Sequence, residues 1–181
     1  MSEQVYKLVR AMNRWAAYGV GILLLAGVAF IIADVVMRRF GSSLGGADEI
    51  SGYLMALAST WGMGYAAVEL AHVRIDVLRS LARPPVRALF DVLALLSMTA
   101  TVWFITYKAW PVVSRSLDLG SRSNSALELP LWMVQVPWFA GWVWFSLTLL
   151  MICFSVLVAV VQGGWRQTEP LIGIKSEMES E

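Results

Sequence analysis

The sequence predicts an all-α membrane protein with four transmembrane helices and a short amphipathic surface helix between the second and third. Three observations carry this. Hydrophobic residues make up 58% of the 181 positions and charged residues only 15%, against about 45–50% and about 25% in a soluble domain. Mean hydropathy is +0.65. Four stretches also run almost free of charge for the length a bilayer demands, about 20 residues at about 1.5 Å each for a core about 30 Å thick.

Residues 1–14 form an N-terminal segment bearing Lys7, Arg10 and Arg14. The first span is Trp15–Met37, in which Asp34 is the only charge. It is too long for a signal-peptide core of about 7–15 residues and no Ala-x-Ala site follows it, so it reads as a retained helix. The second span is Ile50–Val68. The third is Leu89–Tyr107, with Asp91 near its start and Lys108 just past its end. The fourth is Pro137–Val161, inside an uncharged run from Leu129 to Trp165. A four-helix membrane domain over 15–161 and a polar tail over 162–181 follow. None of the spans alternates, which excludes barrel strands, and backbone groups in lipid must be satisfied within the segment, which selects helices.

Between the second and third spans, Val73, Val77, Leu78 and Leu81 share one helical face, and Asp76, Ser80 and Arg83 share another. That pattern predicts a helix lying in the membrane surface and ended by Pro84-Pro85. Its arginines would lie among anionic lipid head groups. The connection from Lys108 to Val136 reads as a long polar loop followed by a re-entering apolar segment.

Orientation follows from the cations in short loops. With the N-terminus in the cytoplasm, Lys7, Arg10, Arg14, Arg74, Arg79, Arg83, Arg87, Arg166 and Lys175 lie inside. Arg38, Arg39, Lys108, Arg115 and Arg122 then lie outside, nine against five. Both termini are expected to be cytoplasmic. The nine tryptophans mostly fall near span ends and read as an interfacial belt. Gly19, Gly27, Ala33, Gly62 and Ala66, with Ser59, Thr60 and Gly64, predict close helix packing.

Ionisable groups near the bilayer are weighed one by one. Asp34 precedes Arg38 by one turn and Arg87 precedes Asp91 by one turn, each spacing suited to an ion pair. Glu69 and His72 bracket the inner end of the second span. No acidic residue occupies the middle of a span, where an ion-coupled transporter places its coupling groups. The inventory also opposes an enzyme. His72 is the only histidine and Cys153 the only cysteine, too few for bis-histidine haem, zinc or a thiolate cluster. No Ser–His or Ser–Lys pair lies at depth. No cofactor is expected, and a net charge of +1 offers no field for nucleic acid.

Three strings then resemble one family. They are Asp34-Val35-Val36-Met37-Arg38, Ala47-Asp48-Glu49-Ile50-Ser51-Gly52-Tyr53-Leu54, and His72-Val73-Arg74-Ile75-Asp76-Val77-Leu78. Together with Ser125–Trp132, they are similar to the small membrane subunit (DctQ type) of tripartite ATP-independent periplasmic (TRAP) transporters, over about residues 10–162. Where many members place an Arg shortly after the Glu, this chain has Gly52-Tyr53. The resemblance implies an accessory subunit of the bacterial inner membrane. Its partners would be a large multi-span permease subunit, a periplasmic solute-binding protein and membrane lipids. The large subunit would carry an organic acid by sodium symport while the small one holds its scaffold. Asp34, Arg38, Glu49, His72, Arg74 and Asp76 would then be subunit-contact or structural residues. Two other readings stand beside it. A self-sufficient homo-oligomeric transporter or channel needs a polar stripe, of which Ser59, Thr60, Ser97, Thr99, Thr101 and Ser146 supply a weak one. An anchor for a redox enzyme is opposed by the single histidine.

The surface helix gives the first prediction. Replacing Val77 and Leu78 with Asp should abolish membrane-surface docking or assembly, because both lie on the apolar face. Wild-type insertion and assembly of the double variant would sink the surface-helix reading.

Overall fold

The computed structural model describes residues 2–43, 45–69, 84–124 and 127–163. Among these, four helices form: α1 (Ser2–Arg39), α2 (Ala47–Val68), α3 (Pro84–Asp118) and α4 (Trp132–Gly163). No strand forms among the described residues beyond an isolated bridge between Arg122 and Pro130. Segments Lys7–Arg39, Leu89–Asp118 and Trp132–Val158 are long and apolar enough to cross a membrane. α2 has 22 residues, about 33 Å of helix, but its Gly, Ser, Thr, Trp and Tyr residues leave it outside that set. The surface helix expected around Val77 and Leu78 lies outside the described residues.

The helices run in alternating directions. Arg10 meets Glu69 and Gly27 meets Leu54, so α1 and α2 are antiparallel. Thr99 meets Cys153 and Thr106 meets Ser146, so α3 and α4 are antiparallel too. α4 is the common wall, packing against α1, α2 and α3, while α3 packs extensively only on α4. A helix without a charge on any face suits that place, since it has no side that must reach water. Its Phe145, Leu149, Ile152 and Val156 form the core with Val9, Ala67, Val68, Leu95 and Val102. By contrast, α1 shows a broad apolar surface, with Trp15 at 73% and Leu25 at 71% exposure.

Small residues set how closely the helices approach, at positions only partly anticipated. A Cβ added at Gly141 would lie 2.4 Å from Thr60 Oγ1, and one at Gly64 would lie 2.5 Å from Asn13 Oδ1. Gly27 receives Leu54 in the same way, whereas Gly19 and Gly62 have nothing within 4 Å. The packing face of α2 is the Thr60–Gly64 side, and Gly62 points away from it.

Two expectations are corrected. The connection read as Lys108–Val136 is much shorter, because α3 continues to Asp118 and α4 starts at Trp132. Lys108 and Pro111 look like stop signals in sequence. Packing overrides them: Ala109, Val113 and Ser116 are buried, and the Lys108 ammonium lies 5.6 Å from the Phe104 ring and 5.7 Å from Tyr107. The tryptophan belt is also incomplete. Trp61 and Trp144 stack on each other between α2 and α4, with ring centroids 6.5 Å apart, and so serve a helix contact.

The glycine contacts give a paired prediction. Gly141→Ala should cost about 1–3 kcal/mol by overpacking and lower the melting temperature in detergent. Gly62→Ala enters open space and should leave it unchanged or raised. Equal melting temperatures for the two variants would remove the close α2–α4 approach.

Candidate functional site

The polar groups of this chain collect at three levels, and each level joins helices. At the N-terminal end of α1, the Arg10 guanidinium grips Glu69 at the end of α2 through two bonds, Nε to Oε1 at 2.6 Å and a terminal nitrogen to Oε2 at 2.7 Å. One turn further along α1, Asn13 is fully buried. Its Nδ2 donates to the Val9 carbonyl (2.9 Å) and to Thr148 Oγ1 on α4 (3.2 Å). Its Oδ1 accepts from the Trp144 indole at 3.1 Å. Gly64 leaves room for that amide, so α1, α2 and α4 meet at one side chain. On the other flank of α4, Thr106 and Ser146 share a hydrogen bond of 2.8 Å, and Thr99 approaches Cys153 Sγ at 3.2 Å.

The third level is the opposite end of the α1–α2 hairpin. Asp34 is fully buried and accepts from Arg38 Nε (2.8 Å) and from Ser43 Oγ (3.0 Å). Ser43 Oγ in turn accepts the Gly45 N–H, so one carboxylate ties the last turn of α1 to the loop after it. Gly45 and Gly46 have φ of 72° and 69°, a left-handed backbone that glycine adopts without strain. Leu127 packs where a Gly46 side chain would stand. Glu49 opens α2 and accepts from the Tyr53 hydroxyl, which Ser123 also hydrogen-bonds from the α3–α4 connection. Both hairpin tips are thus held together.

Of the residues singled out from sequence, Asp34 and Arg38 form the expected pair at one turn's spacing. Glu49 finds Tyr53, the residue standing near where the family pattern has an Arg. His72, Arg74 and Asp76 lie outside the described residues, as does the side chain of Arg87, the expected partner of Asp91. Asn13, Arg10, Thr106, Trp144 and Thr148 were missed as joining residues. The sequence offers a lone amide two residues before an apolar span and hydroxyls spaced along two other spans, but nothing in it pairs them.

These groups are spent on one another. Ser59, Ser97 and Thr101 each donate to a carbonyl three or four residues earlier in their own helix, so no continuous polar stripe forms from them. A cavity of about 440 Å³ between α1 and α4 is lined by Val9, Met12, Leu147 and Phe154 among other apolar side chains. Another of about 380 Å³ lies between α3 and α4 around Leu95 and Cys153. Neither lining contains a charged residue that would hold an anion. No cluster of three His, Cys, Asp or Glu side chains suited to a metal occurs among the described residues.

The polar side chains of the described helices thus serve the junctions between those helices. The chain belongs to the DctQ component family of the tripartite ATP-independent periplasmic transporters, whose family model matches residues 27–163. That family is a transporter component and not an enzyme family. Neither the curated proteins nor the solved structures searched gave a significant match.

The three-helix junction gives the third prediction. Asn13→Leu removes two interhelical hydrogen bonds, each worth about 0.6 kcal/mol on average in membranes, and leaves the Trp144 indole without its acceptor. The variant should melt several degrees lower in detergent, and Thr148→Val should lose less. An unchanged melting temperature for Asn13→Leu would show that the amide does not hold α1 in place.

Proposed function

We propose that this chain is the small permease subunit of a TRAP-type secondary transporter, bracing a large multi-span subunit in the bacterial inner membrane. The observation that carries the reading is the family match over residues 27–163. The polar side chains that bond helix to helix support it, because a bracing subunit needs rigid junctions. On this reading the large subunit moves an organic acid with sodium, and a periplasmic binding protein delivers that acid. α2 is the fourth crossing and both termini are cytoplasmic, supported by the nine-to-five cation balance and the alternating helix directions. Asp34, Arg38 and Glu49 shape the periplasmic tips of the hairpins, and His72, Arg74 and Asp76 act at the cytoplasmic side.

The test is capture of the tagged chain from its native host in mild detergent, with mass spectrometry of what accompanies it. A large polytopic permease is the expected companion. Recovery of this chain alone, as a defined homo-oligomer, would move the transport path into these helices and overturn the proposal. Glu49→Lys should reduce the captured permease several-fold while leaving the chain's own membrane level near wild type. Unchanged capture would take Glu49 out of the contact.

A further inference from the structure

The polar side chains of α3 sort onto two opposite faces. Thr99 and Thr106 point to α4, where they meet Cys153 and Ser146, and the buried Ser116 lies on the same face. Ser97, Thr101, Lys108 and Arg115 point the other way and are exposed. Between Asp91 and Asp118, Lys108 and Arg115 are the only charges. With Ala94 and Phe104, these four stand at positions 94, 97, 101, 104, 108 and 115, and Pro111 falls between the last two. Alternating steps of three and four residues keep one face of a helix turned toward one neighbour. No described helix packs extensively on that face, since α3 does so only on α4.

Two features separate this face from one made only for lipid. Ala94, Ser97 and Thr101 are short, and both hydroxyls are spent on α3 itself. Ser97 Oγ donates to the Ala94 carbonyl at 3.0 Å and Thr101 Oγ1 to the Ser97 carbonyl at 2.8 Å. Short side chains of this kind let a second helix backbone approach closely. The exposed surface beside them is bulky instead, with Leu96, Trp103, Tyr107 and Trp110 between 52% and 69% exposed. The second feature is charge. The Lys108 ammonium lies 5.6 Å from the Phe104 ring and 5.7 Å from Tyr107. Neither it nor the Arg115 guanidinium has a carboxylate partner among the described residues. Both lie on the apolar segment Leu89–Asp118, and ionisable groups on such segments pair with opposite charge.

We infer that this face of α3 seats a transmembrane helix of another chain, one that carries carboxylates opposite Lys108 and Arg115. Charge complementarity selects the occupant. A second copy of this chain on the same face would set Lys108 and Arg115 against their like, which is costly. A phospholipid phosphate would meet the two cations but would leave the short residues at 94, 97 and 101 without a purpose. An acidic helix uses both features, approaching closely along Ala94–Thr101 and pairing with the cations beyond. The identity of the partner rests on the proposed function, under which this helix belongs to the large permease subunit. α3 is then gripped from both sides, by α4 through Thr99 and Thr106 and by the partner through the opposite face, so the α4 junction transmits the grip to α1 and α2.

The experiment uses the full tagged chain in native membranes. Lys108→Glu combined with Arg115→Glu should capture the permease several-fold less than wild type while the chain's own membrane level stays near wild type. Lysine placed at the facing carboxylates of the partner should restore capture. A second measurement leaves the charges in place. A benzophenone maleimide on Thr101→Cys, in a Cys153→Ser background, should cross-link on illumination to a membrane-spanning peptide of the permease that contains Asp or Glu. The same probe on Trp103→Cys, on the bulky face and 57% exposed in the wild type, should give far less of that product. Attachment of the Thr101 probe to a second copy of this chain, or to lipid alone, would overturn the inference. Undiminished capture by the charge-reversed variant would overturn it too and leave the proposed function standing. Absence of any permease from the wild-type capture would instead overturn the proposed function, and the Thr101 product would still show whether an acidic helix of another chain occupies this face.

Discussion

One turn of α4, Trp144 to Thr148, holds the other three helices. The Trp144 indole and the Thr148 hydroxyl fix α1 through Asn13. The Trp144 ring stacks on Trp61 of α2, and Ser146 hydrogen-bonds Thr106 of α3. Phe145 fills the space between them as a core residue. In lipid, apolar side chains gain little by meeting one another, so shape and hydrogen bonds must select the contacts. A turn offering an indole, a ring and two hydroxyls on successive faces does that. Glycines at 64 and 141 then allow the neighbouring backbones close enough for short polar side chains to reach.

The far end of the bundle follows a different rule. There the chain leaves the helices and backbone groups need partners supplied by loops. Asp34 holds the Arg38 and Ser43 side chains, and Ser43 Oγ in turn accepts the Gly45 backbone N–H. The left-handed Gly45-Gly46 pair turns the chain into α2, and Leu127 seats against it from the other connection. That connection is itself pinned by the Ser123 N–H to Leu129 O and the Leu131 N–H to Ser121 O bonds. Buried junctions along α4 and tied tips at one end leave the two hairpins little freedom to move against each other.

How much of this was legible depended on the range of the interaction. The apolar runs that become α1, α3 and α4 are local properties and were readable, as was the Asp34–Arg38 pair one turn apart. Helix ends were not. Lys108 and Pro111 are breakers by local rule, yet α3 passes through both because Val113 and Ser116 pack inward beyond them. Asn13 was invisible for a related reason, since its meaning comes from residues 131 and 135 positions away. The tryptophans show the same limit: an indole at a span end reads as an anchor until the helix facing it is known. The region of the family string His72–Leu78 lies outside the described residues, so its site assignments rest on sequence pattern.

The same long-range contacts decide how stiff the molecule is. Hydropathy alone places each span separately across the bilayer, and nothing in a one-dimensional reading ties α1 to α3. The hydrogen bonds of Asn13 and Thr106 to one turn of α4 tie them. For a small subunit proposed to hold a larger one still while part of it moves, that junction is what would resist rocking, because a bundle with loose helices would let the surrounding lipid reorient each span on its own.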